Sequence, residues 1–335
     1  MTPGKQLKIG FTYDAKADYE LLPGEHPEKY AEFDSEATLS EITNALNSTG
    51  HEVVRIGHAR NLLTRLHAGE RWDIVFNIAE GVKGRNRESQ VPAILELFNV
   101  PYIGSDALTM GVTLDKAVAK MVVGHHGIVT PKFVEVCSEN DLNNFHLKFP
   151  VIVKPSEEGT SKGISEESVA RDLKAMKKRA LWTIDTYNQP ALVEEFIIGQ
   201  EFTVAVIGNA QPEVLEPVQI AIAGNVDLGE DLYTHERVEN DDIRYLCPSS
   251  AKPELIGKLK EMAGAAYTAL GCRDFSRIDF RVDTAGQPYF LECNPLPHLG
   301  LIDVFPLVAK VAGMTYEQIV CRILEHGCKR YGLSL

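Results

Sequence analysis

The chain has 335 residues, 44% of them hydrophobic and 24% charged. That is ordinary globular composition, and it excludes fibrous, disordered and membrane-spanning classes. Lys and Arg total 34 against 47 Asp and Glu, a net charge of −13. A general nucleic-acid or anionic-membrane binder needs a basic footprint that this chain lacks, which leaves room only for a local basic pocket. The start, MTPGKQLKIGFTYD, carries no signal-peptide core, and no run of about 18 apolar residues offers a transmembrane helix. The six cysteines are scattered without a CxxC pair, as expected of reduced thiols in a cytoplasmic protein.

In chain order, LKIGFTY reads as a strand, Ser35 to Ser48 as a helix, and HEVVRIG and WDIVFNIA as strands. A helix over Ser89 to Phe98 and a strand at VPYIGS follow. Strands alternating with helices predict an open parallel sheet whose ligand crevice lies in the loops after the strand ends. A helix from Leu114 to His125, strands at PKFVEV and FPVIVKP, and a charged helix from Ser168 to Leu181 form a second stretch. The third carries strands at ALVEEFI, EFTVAVIG and EVLEPVQI, then a polar segment before Arg244. A helix over Lys252 to Leu270, a hairpin from Ser276 to Asn294 and a helix from Tyr316 to Cys328 complete it. The domain boundaries expected from this are 1–110, 111–192 and 193–335.

The hairpin SRIDFRVDTAGQPYFLECNP carries the most chemistry. A tight turn at Thr284 to Gln287 pairs Asp279 with Glu292 and Arg277 with Asn294. Side chains alternate faces along a strand, so these four share one face. Ile278, Phe280, Val282, Tyr289, Leu291 and Cys293 then share the apolar face. Opposed carboxylates repel unless a cation lies between them, and all-oxygen ligands suit Mg²⁺. The competing reading is a surface hairpin with Arg277–Asp279 ion pairing, and a bulge at Gly286 would shift the register.

FPVIVKPSEEGTSKGIS places Lys154 at a strand end before a loop with Gly159 and Gly163 around Thr160 and Ser161. Exposed N–H groups and hydroxyls in such a loop wrap phosphate oxygens, although an ordinary surface turn reads the same way. EEFIIGQEF sets an apolar linker among Glu194, Glu195 and Glu201, suited to an adenine and a ribose or simply to an edge strand.

VPYIGSD, TLDKAVAK, FPVIVKPSEEGTSKGIS, GQEFTVAVI, YLCPS, ALGCRDFSRIDF and YFLECNPLPHLG occur in that order. Together they resemble the D-alanine–D-alanine ligase family of the ATP-grasp superfamily over about four-fifths of the chain. The resemblance implies an ATP-grasp fold of the α/β class, with α+β central and C-terminal parts behind an N-terminal parallel-sheet domain. It implies Lys116 and Lys154 on the ATP phosphates under the loop from Glu158 and Gly159 to Gly163. Glu194, the segment from Glu195 through Phe196 to Ile197, and Glu201 would seat the adenosine. Asp279, Glu292 and Asn294 would hold two Mg²⁺, or Mn²⁺ in their place. Arg277, with a backbone N–H near His298, would stabilise the oxyanion, while Thr160 and Ser161 work in the phosphate loop.

The activity so implied is ATP-dependent joining of a small-molecule carboxylate to an amine through an acyl phosphate, in a homodimer. Rival readings are a genuine D-alanine–D-alanine ligase, a non-ligating nucleotide-binding regulator, and an ATP-grasp enzyme without an amine acceptor.

The chain departs from the family pattern at the substrate end. Asp34, Ser35 or Glu36 is expected to grip the first substrate, or DSE is merely a helix cap. AEGVKGRNRESQ adds Lys83, Arg85 and Arg87 beside Glu80, which suggests an acidic substrate group or a solvated loop. Arg237 aligns with a substrate-covering lysine. His298 stands where glycine is usual and Asp303 where a serine is usual. Asp303 beside an incoming carboxylate would repel it, unless it pairs with Arg237 or Arg277.

Overall fold

The computed structural model describes residues 6–234, 236–237, 240 and 242–334. Its first part alternates β1 (Lys8–Thr12), α1 (Glu36–Asn47), β2 (Glu52–Arg55), α2 (Ala59–His67), β3 (Ile74–Asn77), α3 (Gln90–Leu97) and β4 (Tyr102–Ile103). The strands pair in parallel in the order β2-β1-β3-β4. β3 is buried along its whole length, as its IVFN run requires of a strand covered on both faces.

Two helices follow, α4 (Ala107–Leu114) and α5 (Lys116–His125). The expected helix from Leu114 is α5 and starts at Lys116, because Asp115 leaves the helical conformation and caps α5 by accepting from Val118 N at 3.0 Å. α4 was not expected, since ALTMGVTL has weak helix propensity and gains its stability from packing.

Next come β5 (Phe133–Val136), β6 (Val151–Pro155), β7 (Val169–Ala170), α6 (Leu173–Tyr187) and β8 (Ala191–Glu195). They build an antiparallel sheet, β5-β8-β6-β7. α6 starts after its cap Asp172, five residues later than the charge pattern indicates, and runs on to Tyr187.

The third sheet, β12-β11-β9-β13-β14 with β10 on β9, uses β9 (Gly199–Ile207), β10 (Glu213–Val214), β11 (Val218–Ile222), β12 (Ile243–Leu246), β13 (Phe275–Asp283) and β14 (Pro288–Asn294). α7 (Pro253–Ala269), α8 (Val304–Val311) and α9 (Tyr316–Arg330) pack around it. α8 escapes a sequence reading because Pro306 looks like a breaker, yet a first-turn proline loses no helical hydrogen bond.

One core joins the first and third parts. Ile9, Phe11 and Phe76 pack with Ile207, Phe275, Phe305 and Ile319, and the Phe76 and Phe275 rings stack at 6.1 Å. None of the six cysteines is in a disulfide, and no described helix is long and apolar enough to cross a membrane.

Candidate active site

Between the three sheets lies a cavity of about 610 Å³. Its floor is the β13–β14 hairpin, where Arg277 faces Asn294 and Asp279 faces Glu292, as the register predicts. Beyond that pair the register slips, so Phe280 faces Phe290 rather than Leu291. Phe290 enters the core at 0% exposure while Leu291 lines the cavity, which corrects the expected apolar face. The irregularity sits beside the charged pair, not at Gly286; bulges re-aim side chains in this way.

Asp279 is held on every side. Arg277 grips both its oxygens at 3.1 and 3.0 Å, Thr203 Oγ1 donates at 2.6 Å, and Asn294 Nδ2 donates at 2.9 Å. The ion-paired reading of the hairpin and the shared oxygen face thus coexist. Burial pushes Asp279 up despite Arg277. Burial also opposes the charge on Glu292, but Lys116, Lys154 and Arg277 hold it down at about 2.

Lys116 opens α5 and Lys154 ends β6, two elements that converge over the hairpin. Lys116 Nζ lies 3.3 Å from Glu292 and also donates to the Glu158 carbonyl. Lys154 pairs with Glu194 at 2.7 Å, and the other oxygen of Glu194 lies 2.8 Å from Lys120. All three are nearly inaccessible, and burial pushes Lys120 down to about 8. Glu194 lines the cavity from within this pair of lysines.

The loop after β6 carries Thr160 and Ser161 at φ 49° and 54°, left-handed backbone that costs a non-glycine residue about 1 kcal/mol or more. Residues from before α1 hold it there. Glu32 accepts from Gly159 N at 2.6 Å and Lys162 Nζ at 2.7 Å, and pairs with Arg87 at 3.0 Å. Glu28 accepts from Gly163 N at 3.1 Å. Burial opposes the Glu32 charge, but Arg87, Lys162 and the Gly159 N–H hold it at about 2. A Cβ on Gly159 would lie 2.7 Å from Glu32 Oε1.

On the far side Phe196, Ile197 and Glu195 line the cavity beside Glu201. Arg281 organises them: it pairs with Glu201 at 3.0 Å, donates to the Ile197 carbonyl at 3.1 Å and lies over the Phe196 ring at 5.2 Å.

The remaining end collects Asp34, His298 and Asp303. Asp303 caps α8 through Val304 N at 2.5 Å, and its other oxygen lies 3.2 Å from His298 Nδ1. Asp303 therefore pairs with His298, and Arg237 pairs instead with Asp231 at 2.9 Å. Glu80 lines the cavity and is pushed well up by burial and by Glu88.

Of the expected substrate contacts, Glu36, Lys83, Arg85, Arg87 and Arg237 are not brought to the cavity. Glu36 is exposed and paired with Arg55 at 2.6 Å, while Ser35 caps α1 by accepting from Thr38 N. The cap reading of DSE describes what the backbone does. Arg85 pairs with Asp115 at 2.6 Å, and Arg237 lies with Asp231 outside the lining.

The sequence reading missed Glu28, Glu32, Arg87 as a buried ion, Lys120, Lys162 and Arg281. Two had a visible signal. Lys120 follows Lys116 by one helical turn on an apolar face, and Arg281 continues the alternation of Arg277 and Asp279. The glutamates had none, because only the folded chain puts them on a loop about 130 residues away.

Residues 122–325 match the model of the D-ala D-ala ligase C-terminus. An uncharacterized protein of Sinorhizobium fredii, y4sG, is 34% identical over 306 residues, 87% of each chain. A D-alanine–D-alanine ligase of Carboxydothermus hydrogenoformans is 33% identical over 87% of this chain and 92% of its own. Among solved structures, the Bacillus anthracis D-alanine–D-alanine ligase complexed with ATP superimposes at TM-score 0.75 and 23% identity, over 96% of this chain and 98% of that one. The VanG D-Ala:D-Ser ligase from Enterococcus faecalis gives 0.75 at 20%, over 96% and 100%. With its ordered motifs, three-sheet fold and converging lysines and carboxylates, the chain belongs to the D-alanine–D-alanine ligase family of ATP-grasp, ADP-forming carboxylate–amine ligases.

Proposed function

We propose that the protein forms a peptide or amide bond between a small-molecule carboxylate and an amine whose identities have diverged from two D-alanines. The observation that carries this is the approach of Lys116 to within 3.3 Å of Glu292 over the Arg277–Asp279–Asn294 face. In this reading the carboxylate attacks the γ-phosphate of ATP, releasing ADP, and the amine then displaces phosphate from the acyl phosphate. Lys116 and Lys154 neutralise phosphate charge, Arg277 and a backbone N–H near His298 meet the developing oxyanion, and the loop through Thr160 and Ser161 excludes water. Phe196, Ile197, Glu195 and Glu201 seat the adenosine, with Glu194 behind them as the counter-ion of two lysines.

Among the described residues no group of three or more His, Cys, Asp or Glu side chains forms a metal cage. Asp279, Glu292 and the Asn294 amide nonetheless fit Mg²⁺, which takes one or two carboxylates and fills its shell with phosphate and water. Mn²⁺ suits the same oxygens. Bound there, the ions would supply charge neutralisation at the transferred phosphoryl group.

Three sheets support three domains bounded near 110 and 192, six unpaired cysteines support a cytoplasmic setting, and the homodimer rests on family resemblance. A genuine D-alanine–D-alanine ligase is the second reading, favoured by curated relatives of that name at 30–33% identity. Incubation with ATP, Mg²⁺, hydroxylamine and a pool of amino acids and dicarboxylates tests both. Hydroxamate formed with stoichiometric ADP is expected. ADP release without hydroxamate, or no release from any pool member, removes the ligase reading. A hydroxamate from D-alanine, together with D-alanyl-D-alanine when D-alanine is also the acceptor, establishes the second.

A further inference from the structure

At the end of the cavity beyond Arg277, the His298 imidazole stands between two carboxylates. Nδ1 lies 3.2 Å from Asp303 and Nε2 lies 3.6 Å from Asp34. Asp303 is locked, because its other oxygen caps α8. Asp34 is held by its backbone, which bonds Asp14 and Lys16 at 3.1 and 2.9 Å. Its carboxylate is 10% exposed and makes no hydrogen bond among the described residues, although it lines the cavity. A buried acceptor left open towards a cavity invites a donor from the ligand. Arg277, which lines the same cavity, already grips Asp279 with two of its nitrogens.

We propose that Asp34, His298 and Asp303 form the acceptor station, which takes a primary ammonium lacking an adjacent carboxylate: Asp34 grips it, His298 Nε2 removes its proton, and Asp303 positions the imidazole. This rests on the ligase reading above. Nδ1 also lies 3.3 Å from the Gly300 N–H and Nε2 3.5 Å from Thr38 Oγ1. In the tautomer that donates Nδ1–H to Asp303, the Nε2 lone pair is on the side of Asp34 and Thr38, and Asp303 stabilises the imidazolium that forms. The ammonium gives one proton to Nε2, and its freed lone pair forms the C–N bond to the acyl carbon. The C–O bond to phosphate then breaks, its electron pair staying with phosphate. A second N–H proton passes to that oxygen, giving amide, hydrogen phosphate and imidazolium. An α-carboxylate on the amine would meet Asp34 and Asp303, with Arg277 already engaged by Asp279 and the exposed Lys16 of the lining left to offset them, and such like-charge contact is unfavourable.

Burial works against charging His298, but Asp303 and Asp34 outweigh it and hold its imidazolium above the ordinary range. The Arg277 charge works in the opposite direction on His298. Lys16 and Asp14 act on Asp34 from the N-terminal part. Glu41 lines the cavity from α1, and Tyr245 faces Asp303 from β12 with Tyr233 bonded to it.

Ethylamine is alanine without its carboxylate, which makes the two a matched pair. The full chain with ATP and Mg²⁺, carrying ¹³C-labelled histidine, is titrated with ethylamine, D-alanine and L-alanine by NMR. His298→Gln assigns the ring resonance. Ethylamine is expected to shift that resonance, and either alanine to act at least about tenfold more weakly. An equal or stronger effect of alanine overturns the proposal, as does no response to ethylamine. With any carboxylate that gives a hydroxamate, His298→Gln is expected to slow ethylamide formation about 100-fold or more. Hydroxylamine is already unprotonated at neutral pH, so its product should fall less than about tenfold. Equal losses for both nucleophiles also overturn the proposal. Asp303→Asn should move the ascending limb of the ethylamine pH–rate profile to lower pH, and an unmoved limb removes its positioning role. Absence of hydroxamate from every carboxylate defeats the ligase reading instead, while the titration still decides the acceptor assignment.

Discussion

Glu32 and Gly159 are 127 positions apart in the chain and joined by a 2.6 Å hydrogen bond from the glycine N–H to the carboxylate. The same carboxylate takes Lys162 and Arg87, so one buried anion ties the segment before α1 to the phosphate-loop candidate and to the loop after β3. A loop with two residues in left-handed backbone needs such external support.

Glu32→Ala leaves Arg87 and Lys162 buried without their anion and should cost about 3–5 kcal/mol in urea unfolding. Glu32→Gln retains the shape and should cost less. Hydrogen exchange at Gly159 and Gly163 should accelerate in both. Because the folded carboxyl sits at about 2 against an ordinary 4.5, the wild-type contribution is complete above pH 4.5 and is lost as pH falls towards about 2. Unchanged acid stability in Glu32→Gln would contradict this.

Glu88 gives a slope of opposite sign. Burial, together with Glu32, pushes it up to about 7 although Arg87 and Lys116 pull it down. Between pH 4.5 and about 7 the folded chain therefore holds a proton that the unfolded chain has lost, so this group lowers stability as pH rises through that window. In Glu88→Gln the urea midpoint should fall less between pH 5 and pH 7.5 than in wild type. An identical fall in both proteins would exclude Glu88 as its source.

Glu194 is the counter-ion of Lys120 and Lys154. Glu194→Ala strands two buried ammonium groups and should destabilise by about 3–5 kcal/mol. Glu194→Gln removes the charge with little change of shape, and ATP affinity by calorimetry should drop about tenfold or more as Lys154 loses its support. Retained affinity in a folded Glu194→Gln protein would show that Lys154 is positioned without it.

Gly327 in α9 faces β4, where an added Cβ would lie 2.1 Å from Ile103 Cδ1. Alanine is the better helix former by about 1 kcal/mol, yet overpacking of this kind costs about 1–3 kcal/mol. Gly327→Ala should lower stability on balance, and Gly327→Ala with Ile103→Val should recover part of it. A stabilised single variant would show that the Ile103 side chain yields freely.

Periodicity and motif order made much of the architecture legible. Alternating βα units read as a parallel sheet, and the turn at Thr284 to Gln287 set Asp279 against Glu292, because a hairpin register is local information. The same arithmetic failed at the next residue, Phe280. The shift that sends Phe290 to the core and Leu291 to the cavity is decided by what packs on each face.

Lys116, Lys154, Arg277, Asp279, Glu292 and Asn294 were readable because strand ends, a helix start and a hairpin fix their directions locally. The acidic total, with 47 Asp and Glu, foretold neither Glu32 beneath a glycine loop nor Asp34 facing His298. Those pairings join segments more than 120 residues apart. Sequence alone determined the family and the shared face of Arg277, Asp279, Glu292 and Asn294. Tertiary structure decided which acids are spent on internal cations and which, like Asp34, are left open to a ligand, because burial and partner distance are properties of the packed chain.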